Sequence, residues 1–291
     1  MAGFLGTTTS FSIFEAPVPS KLDFEAVRAW AFSDAVTPEG TRLGWVGLGN
    51  AVDTDFSFGI DHGRFAALSL RVDSRKASGA ALKLQLAEAV QEELAQGGNV
   101  SNKRKKELRE AILAKLISKA EWTPALTDCL WDLEKGRLLV AASPKAALPL
   151  LERFTSTFGV DAQPYTPNED LPSFFARLSR ENIFLNVNGR ELSCAGSATL
   201  ATPLHVEGKM AVAVQNNENT IASALDEGLI IRKLAMIADA SLEFSLDTSL
   251  TVSGLKLPRA EKGADMDTDF LLKADVCVMV ADLALAIAGL A

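Results

Sequence analysis

Two groups of residues in this chain have types and spacings that could do catalytic chemistry. Asp265, Asp267 and Asp269 alternate like the first ligands of a calcium loop, where carboxylates converge on one cation. That loop also needs glycine at its sixth position and glutamate at its twelfth, and these are Phe270 and Val276. At a predicted helix start, acidic residues favoured by the macrodipole are the simpler reading. A two-metal nuclease site would further need carboxylates from several strand ends, which this local trio does not supply. The second group is Gly47-Leu48-Gly49, which opens a dinucleotide-like GxG. Val52 stands where its third glycine should be, and no helix is predicted to begin there. No GxxxxGK run followed by Ser or Thr occurs. His62 falls in a predicted turn and His205 at a predicted strand start, without a GxSxG elbow, so each reads as a surface turn or strand residue. The expectation is a protein that is not an enzyme and takes no cofactor and no metal.

A third group is basic. Lys103, Arg104, Lys105, Lys106, Arg109, Lys115 and Lys119 share the segment Asn99 to Lys119 with two acids, Glu107 and Glu110, for a local net charge of +5. The other 270 residues carry 22 basic and 35 acidic side chains, a net of −13 within a chain total of −8. That total would argue against a nucleic-acid partner only if it were evenly spread, because binding a polyanion begins with Lys and Arg neutralising phosphates. A Lys-rich helix is ordinarily a solvated face with i,i+4 partners, and Glu107 and Glu110 can pair with Lys103, Lys106 and Arg109. Four successive bases at a helix start nevertheless oppose the dipole, which favours anions there. They point to an anionic partner.

The elements that must carry these residues follow from periodicity. A strand is predicted over Thr8 to Phe14 and a helix over Leu22 to Phe32. Asp55 to Ile60 and Phe65 to Val72 flank Asp61-His62-Gly63 and predict a β-hairpin. Ala80 to Ala95 is a helix ended by Gly97-Gly98, and Ser101 or Asn102 caps a second helix through Lys119. The two form an αα-hairpin with arms of about 25 Å at 1.5 Å per residue. Thr127 to Leu133 and Arg137 to Ala142 predict another hairpin across Glu134-Lys135-Gly136, and Ser143-Pro144 opens a helix ending at Gly159. Asp161 to Pro172 reads as a linker or crossover. Strands follow at Ile183 to Val187, Leu192 to Gly196 and His205 to Val214, then a short helix around Thr220 to Glu227. Three more strands are predicted at Leu229 to Ala238, Leu242 to Asp247 and Leu250 to Leu257, before a last helix from Asp267 or Thr268. The class is α+β, with antiparallel sheets backed by helices, a projecting helical-hairpin arm and an elongated subunit. Residues 1–75 with 120–160 form a central region, 76–119 the arm, and 161–291 a C-terminal base.

Composition narrows the class further. With 48% hydrophobic and 23% charged residues the chain is an ordinary globular one. Cys129, Cys194 and Cys277 are far apart, odd in number and without a CxxC pair, so neither a disulfide framework nor a cysteine zinc site is expected, and a cytoplasmic location is. Met1 to Ser10 lacks the basic and apolar regions of a secretory leader. Val276 to Ala291 falls short of the ~20 apolar residues of a membrane span and contains Asp282, which predicts a buried helix and no membrane partner.

In its order of features the chain resembles the RdgC family of bacterial recombination-associated DNA-binding proteins. The resemblance is carried by Leu43-Gly44-Trp45-Val46; by the run from Gly98-Asn99 through Lys103 to Arg109 and on to Lys119-Ala120; and by Trp131-Asp132-Leu133 through Gly136 to Ala142-Ser143. Gly228 to Ala235, Leu255-Lys256-Leu257 and Asp269-Phe270 continue it. It implies a horseshoe-shaped subunit and a ring-shaped homodimer that encircles double-stranded DNA without sequence specificity, is associated with the nucleoid, and restrains a RecA-type recombinase. The family sometimes carries an exonuclease label, for which the motifs above offer no constellation. This chain departs from the family pattern at Ala211 to Asn217, where basic residues are usual, at Ala238 and Ser241, and at Glu121-Trp122, where an arm aromatic is displaced. The departures imply either weaker DNA affinity or DNA contact concentrated on Lys103 to Lys119. A rival reading is a protein-interaction scaffold whose basic arm docks an acidic partner; a metal-dependent exonuclease using Asp265, Asp267 and Asp269 ranks below it.

Overall fold

Apolar alternation fixes the first strand, β1 (Thr8–Glu15), whose Phe11, Ile13 and Phe14 are buried between exposed Thr8 and Glu15. The computed structural model describes residues 3–38, 40–97, 99–181, 184–201, 211–214 and 218–290. After β1 come α1 (Glu25–Ala29), β2 (Arg42–Val46), β3 (Asp61–His62), β4 (Phe65–Arg75), α2 (Gly79–Ala95) and α3 (Asn102–Lys119). The middle of the chain forms β5 (Trp122–Asp132), β6 (Arg137–Val140), α4 (Pro144–Phe158), β7 (Gln163–Pro164) and α5 (Leu171–Glu181). The last part forms β8 (Leu185–Val187), β9 (Arg190–Ala201), β10 (Ala211–Val214), α6 (Glu218–Asp226), β11 (Ile230–Ala238), β12 (Leu242–Asp247), β13 (Thr251–Lys256) and α7 (Met266–Ile287). This is the α+β class read from the sequence.

Strand order in the sheet is β10-β9-β11-β12-β13-β1-β6-β5-β4-β2, with β3 on β4, β7 on β1 and β8 on β9. β1 lies between strands from distant parts of the chain, antiparallel to β13 with Ser12 opposite Thr251, and antiparallel to β6 with Ser12 opposite Val140. Two compact units make up the chain. One comprises Met1–Ala31, Trp45–Leu70 and Thr127–Ala291, the other Phe32–Gly44 and Arg71–Leu126.

The first unit holds the core. Phe4, Phe11, Leu234, Leu246, Val252, Phe270, Cys277 and Leu283 are among its buried side chains. α7 buries eleven of its residues, the reason the apolar C-terminal run is a core helix. No described helix is long and apolar enough to cross a membrane. Asp282, the charge within that run, pairs with Lys135 and Arg137 at the β5–β6 turn. In the same unit Trp131, Phe154 and Phe158 pack with ring centroids 4.8 to 5.3 Å apart, and the Trp131 and Trp45 indoles donate to the Ala16 carbonyl and Thr157 Oγ1. Cys129 and Cys277 are buried thiols.

Several expectations need correction. Asp55 to Ile60 is not a strand: Asp53 accepts from the Ser57 N–H and Oγ–H at 2.8 and 3.0 Å, closing a turn in which Phe56 takes a left-handed φ of 57°. Only Asp61–His62 pairs with β4. The first helix is a short one, Glu25–Ala29, because beyond it the Trp30 carbonyl is drawn off to accept from the Trp45 N–H at 2.9 Å. The segment read as a linker carries β7, and its end begins α5, where Leu171, Phe175 and Leu178 are buried at helical spacing. Proline in a first helical turn is tolerated, so Pro172 does not stop this helix. His205 and the rest of 202–210 lie outside the described residues, as does Ile183.

One buried acid has a stability consequence. Asp128 accepts from Ser69 Oγ at 2.6 Å and from the Phe4 N–H, and Gly3 lies so close that a Cβ there would stand 2.1 Å from Asp128 Oδ2. Burial pushes the Asp128 carboxyl above its ordinary range, against the downward pull of these hydrogen bonds. A carboxyl with a raised folded pKa contributes stability that is present below the unfolded value, about pH 4, and lost as pH rises through the folded value. Asp128→Asn stays neutral, so its Tm relative to wild type is expected to climb from about pH 4 upward and then level off, each tenfold change in ionisation constant being worth about 1.4 kcal/mol. Paired thermal unfolding curves across that range read the difference. One that shrinks with rising pH contradicts the assignment.

Candidate nucleic-acid interface

The basic segment is a helix for local reasons. Ser101 takes extended backbone angles and its Oγ accepts from the Arg104 N–H at 3.2 Å, which caps α3. Ser78 caps α2 in the same way, accepting from the Ala81 N–H at 3.4 Å. The two helices pack on each other, yet neither has a single fully buried residue. Their side chains are therefore mostly at the solvent boundary, with Leu84 and Leu94 among the exposed apolar ones.

Structure separates the seven bases by their partners. Arg104 is a clamp within the hairpin: its Nη2 and Nε donate to Glu93 Oε1 of α2 at 2.7 and 2.9 Å, and its Nη1 donates to Glu107 at 3.3 Å. These carboxylates raise the Arg104 pKa further. Lys106 lies 3.9 Å from Glu110. Lys103, Lys105, Arg109, Lys115 and Lys119 are exposed, and among the described residues they form no ion pair. The Glu107 and Glu110 pairings thus fall on Arg104 and Lys106, leaving Lys103 and Arg109 without the acid partners open to them by spacing.

Successive helical residues are about 100° apart, so Lys103 to Lys106 point to all sides of α3. Spacing of i,i+4 instead aligns Lys105 with Arg109 and Lys115 with Lys119 in two rows. Lys115 and Lys119 stand on the rim of a groove floored by Ala89, Ile112 and Leu116, opposite Glu88 and Glu92 of α2. The first turn of α3 contains no acidic residue, as its sequence indicated. What this arrangement can do is present a cluster of solvated cations to an extended polyanion.

The other candidates disperse. Asp265 is the N-cap of α7 and accepts from the Thr268 N–H at 2.7 Å, which holds its carboxyl below the usual range. Asp267 Oδ1 meets His62 Nδ1 at 2.7 Å. Asp269 accepts from Lys273 Nζ at 2.6 Å and from the Ala260 N–H at 3.1 Å, and is likewise held low. The three carboxylates serve three different partners. Among the described residues no group of three or more His, Cys, Asp or Glu could hold a metal ion. His62 is not the surface residue its turn suggests: its imidazole is 3% exposed, packed 4.6 Å from Phe58 and 4.7 Å from Phe270. At Gly47 a Cβ would come within 2.3 Å of Asp53 Oδ2, so the GxG glycine answers to local packing.

Sequence reasoning missed a second basic cluster, in the same unit as the hairpin. Arg71 pairs with Asp73 at 2.7 Å and lies 3.9 Å from the Phe32 ring centroid, while Arg42 and Arg75 both meet the Trp122 ring. The only signal in the sequence is a scatter of arginines at strand ends. At the positions that depart from the family pattern, Ala211 to Val214 form β10, Ala238 ends β11, and Ser241 sits in the following turn; 215–217 lie outside the described residues. In comparison with known proteins, the family model described as "Putative exonuclease, RdgC" matches residues 12–291. No curated protein matches the chain.

Proposed function

The chain belongs to the RdgC family, and on that premise we propose that it binds double-stranded DNA without sequence specificity as a ring-shaped homodimer in the cytoplasm, on the nucleoid. By occupying the duplex it restrains a RecA-type recombinase. The observation that carries the reading is the exposed set Lys103, Lys105, Arg109, Lys115 and Lys119, free of ion pairs among the described residues, in a chain that is otherwise strongly acidic. Arg104 and Lys106 belong to the same surface but share their charge with Glu93, Glu107 and Glu110. An acidic remainder supports phosphate binding at locally basic surfaces, because approach to the acidic ones is repelled.

Five phosphates neutralised per subunit by the α3 bases predict that these bases contribute about −4 to −5 per subunit to the slope of log K against log salt, since each contact contributes about −0.9. Titrating random-sequence duplex across a range of salt measures it. A salt-independent or undetectable interaction at low salt overturns the reading. Pull-down of acidic proteins in competition with random duplex separates it from the scaffold alternative, in which protein and not DNA is retained. The exonuclease in the family's description would have to act through carboxylates that converge, whereas Asp265, Asp267 and Asp269 are turned to three separate partners.

A further inference from the structure

We propose that Arg42, Arg75 and Trp122 form a phosphodiester-binding site that continues the basic surface of α3. This rests on the duplex-binding reading and adds to it a site outside the basic helix. β4 lies between β5 and β2, which puts side by side the residue that opens β2, the residue that closes β4 and the residue that opens β5. These are Arg42, Arg75 and Trp122. Both guanidinium carbons lie 4.3 Å from the Trp122 ring centroid, a distance at which the ring quadrupole attracts a cation. The indole therefore gathers two like charges no further apart than twice that distance.

Three donors at this cluster are unused. Arg42 Nε, Arg75 Nε and Trp122 Nε1 are shielded from solvent, and none has a hydrogen-bond partner among the described residues. Buried donors are nearly always paired, so three around one ring call for an acceptor. An anion with several acceptor oxygens answers both needs, taking N–H bonds from more than one donor beside the two guanidinium charges. Existing counter-charge is small: Asp34 accepts from Arg42 Nη1 at 2.6 Å, and Arg75 has no carboxylate partner among the described residues. Arg75 Nη1 also reaches the Ser118 carbonyl at 3.4 Å, in the last turn of α3 beside Lys119. That contact links the cluster to the Lys115–Lys119 row and selects a nucleic-acid backbone as the source of the phosphate.

The test compares salt slopes of random-duplex binding for the full chain and three variants. In R42Q/R75Q the slope is expected to be shallower by about 1 to 2 per subunit, with affinity at ~0.1 M salt down about 10- to 100-fold. R42K/R75K keeps the charges and is expected to recover the slope; W122F keeps a ring but loses a donor and is expected to bind about threefold more weakly with the slope unchanged. An R42Q/R75Q protein with wild-type affinity and slope overturns the inference. So does an R42K/R75K protein as impaired as R42Q/R75Q, which would mean the arginines act through packing. A wild type that fails to bind duplex overturns the proposed function instead, and inorganic phosphate then reads the site alone. Quenching of Trp122 emission by phosphate beyond chloride at matched ionic strength, in a Trp30→Phe background, supports it; equal quenching overturns it.

Discussion

Replacing Lys103, Lys105, Arg109, Lys115 and Lys119 together by alanine is expected to weaken random-duplex binding about four orders of magnitude per subunit at ~0.1 M salt. Five phosphate contacts contribute a slope of about −4.5, which amounts to that many decades of counterion-release free energy between molar and tenth-molar salt. Losses should be alike for every duplex sequence, because phosphate contacts position a protein without reading bases. Folding should survive. The five side chains are exposed, make no ion pair among the described residues, and alanine is the best helix former at each position. Helical content by circular dichroism should match wild type, whereas Arg104→Ala removes the Glu93 clamp and should loosen the hairpin itself. A loss under tenfold, or one confined to a single duplex sequence, contradicts the assignment.

The largest expected effect on stability belongs to Asp132→Ala. Asp132 is fully buried and accepts four hydrogen bonds, from Arg64 Nη2 at 2.8 Å and Nε at 3.3 Å, and from the Glu134 and Lys135 N–H groups at 3.1 and 3.2 Å. It thus holds both the β5–β6 turn and the arginine that precedes β4 in the turn after His62. Removing one member of a buried, hydrogen-bonded ion pair costs roughly 3–5 kcal/mol, because its partners are left unsatisfied. For a chain of this size each kcal/mol lowers Tm by about 2–4 °C. Arg64→Ala should cost less, since the guanidinium is partly exposed and its loss leaves the turn N–H bonds to Asp132 in place. Denaturant unfolding of both variants measures the two costs. An Asp132→Ala penalty below about 1 kcal/mol would contradict the role given to this carboxylate.

Local signals in the sequence carried much of this architecture. Ser101 before a run of helix formers marked the start of α3, and Ser143-Pro144 with Gly159 bounded α4, where Gly159 adopts a left-handed φ of 68°. Alternation located β1, β11 and β12. The misses share a cause: partners far away in sequence. His62 occupies a turn tripeptide, but Asp267, 205 residues away, and Phe270 of the same helix α7 cover its ring. The prolines before α5 masked an amphipathic helix whose Leu171, Phe175 and Leu178 have buried positions only because β9, β11 and α6 lie beneath them. Within the candidate interface, the seven bases were legible as a charge run. Their division into clamped and free was not, because Glu93 belongs to the neighbouring helix. The Arg42, Arg75 and Trp122 cluster depends on three strand ends meeting and leaves no trace in local pattern.

The position of β1 bears on how the protein is made. Ser12 bonds to Thr251 across 239 residues, so β1 must wait for a strand synthesised that much later. At roughly 5–20 residues per second on the ribosome, that interval lasts about 12–50 s. One edge of β1 waits only for β6, but until β13 emerges the other edge is without its final cover, the condition in which chains attract chaperones or mispair with one another. Yield in the cell should therefore respond to chaperone supply and to translation speed between β1 and β13 more than to any single contact in the finished sheet.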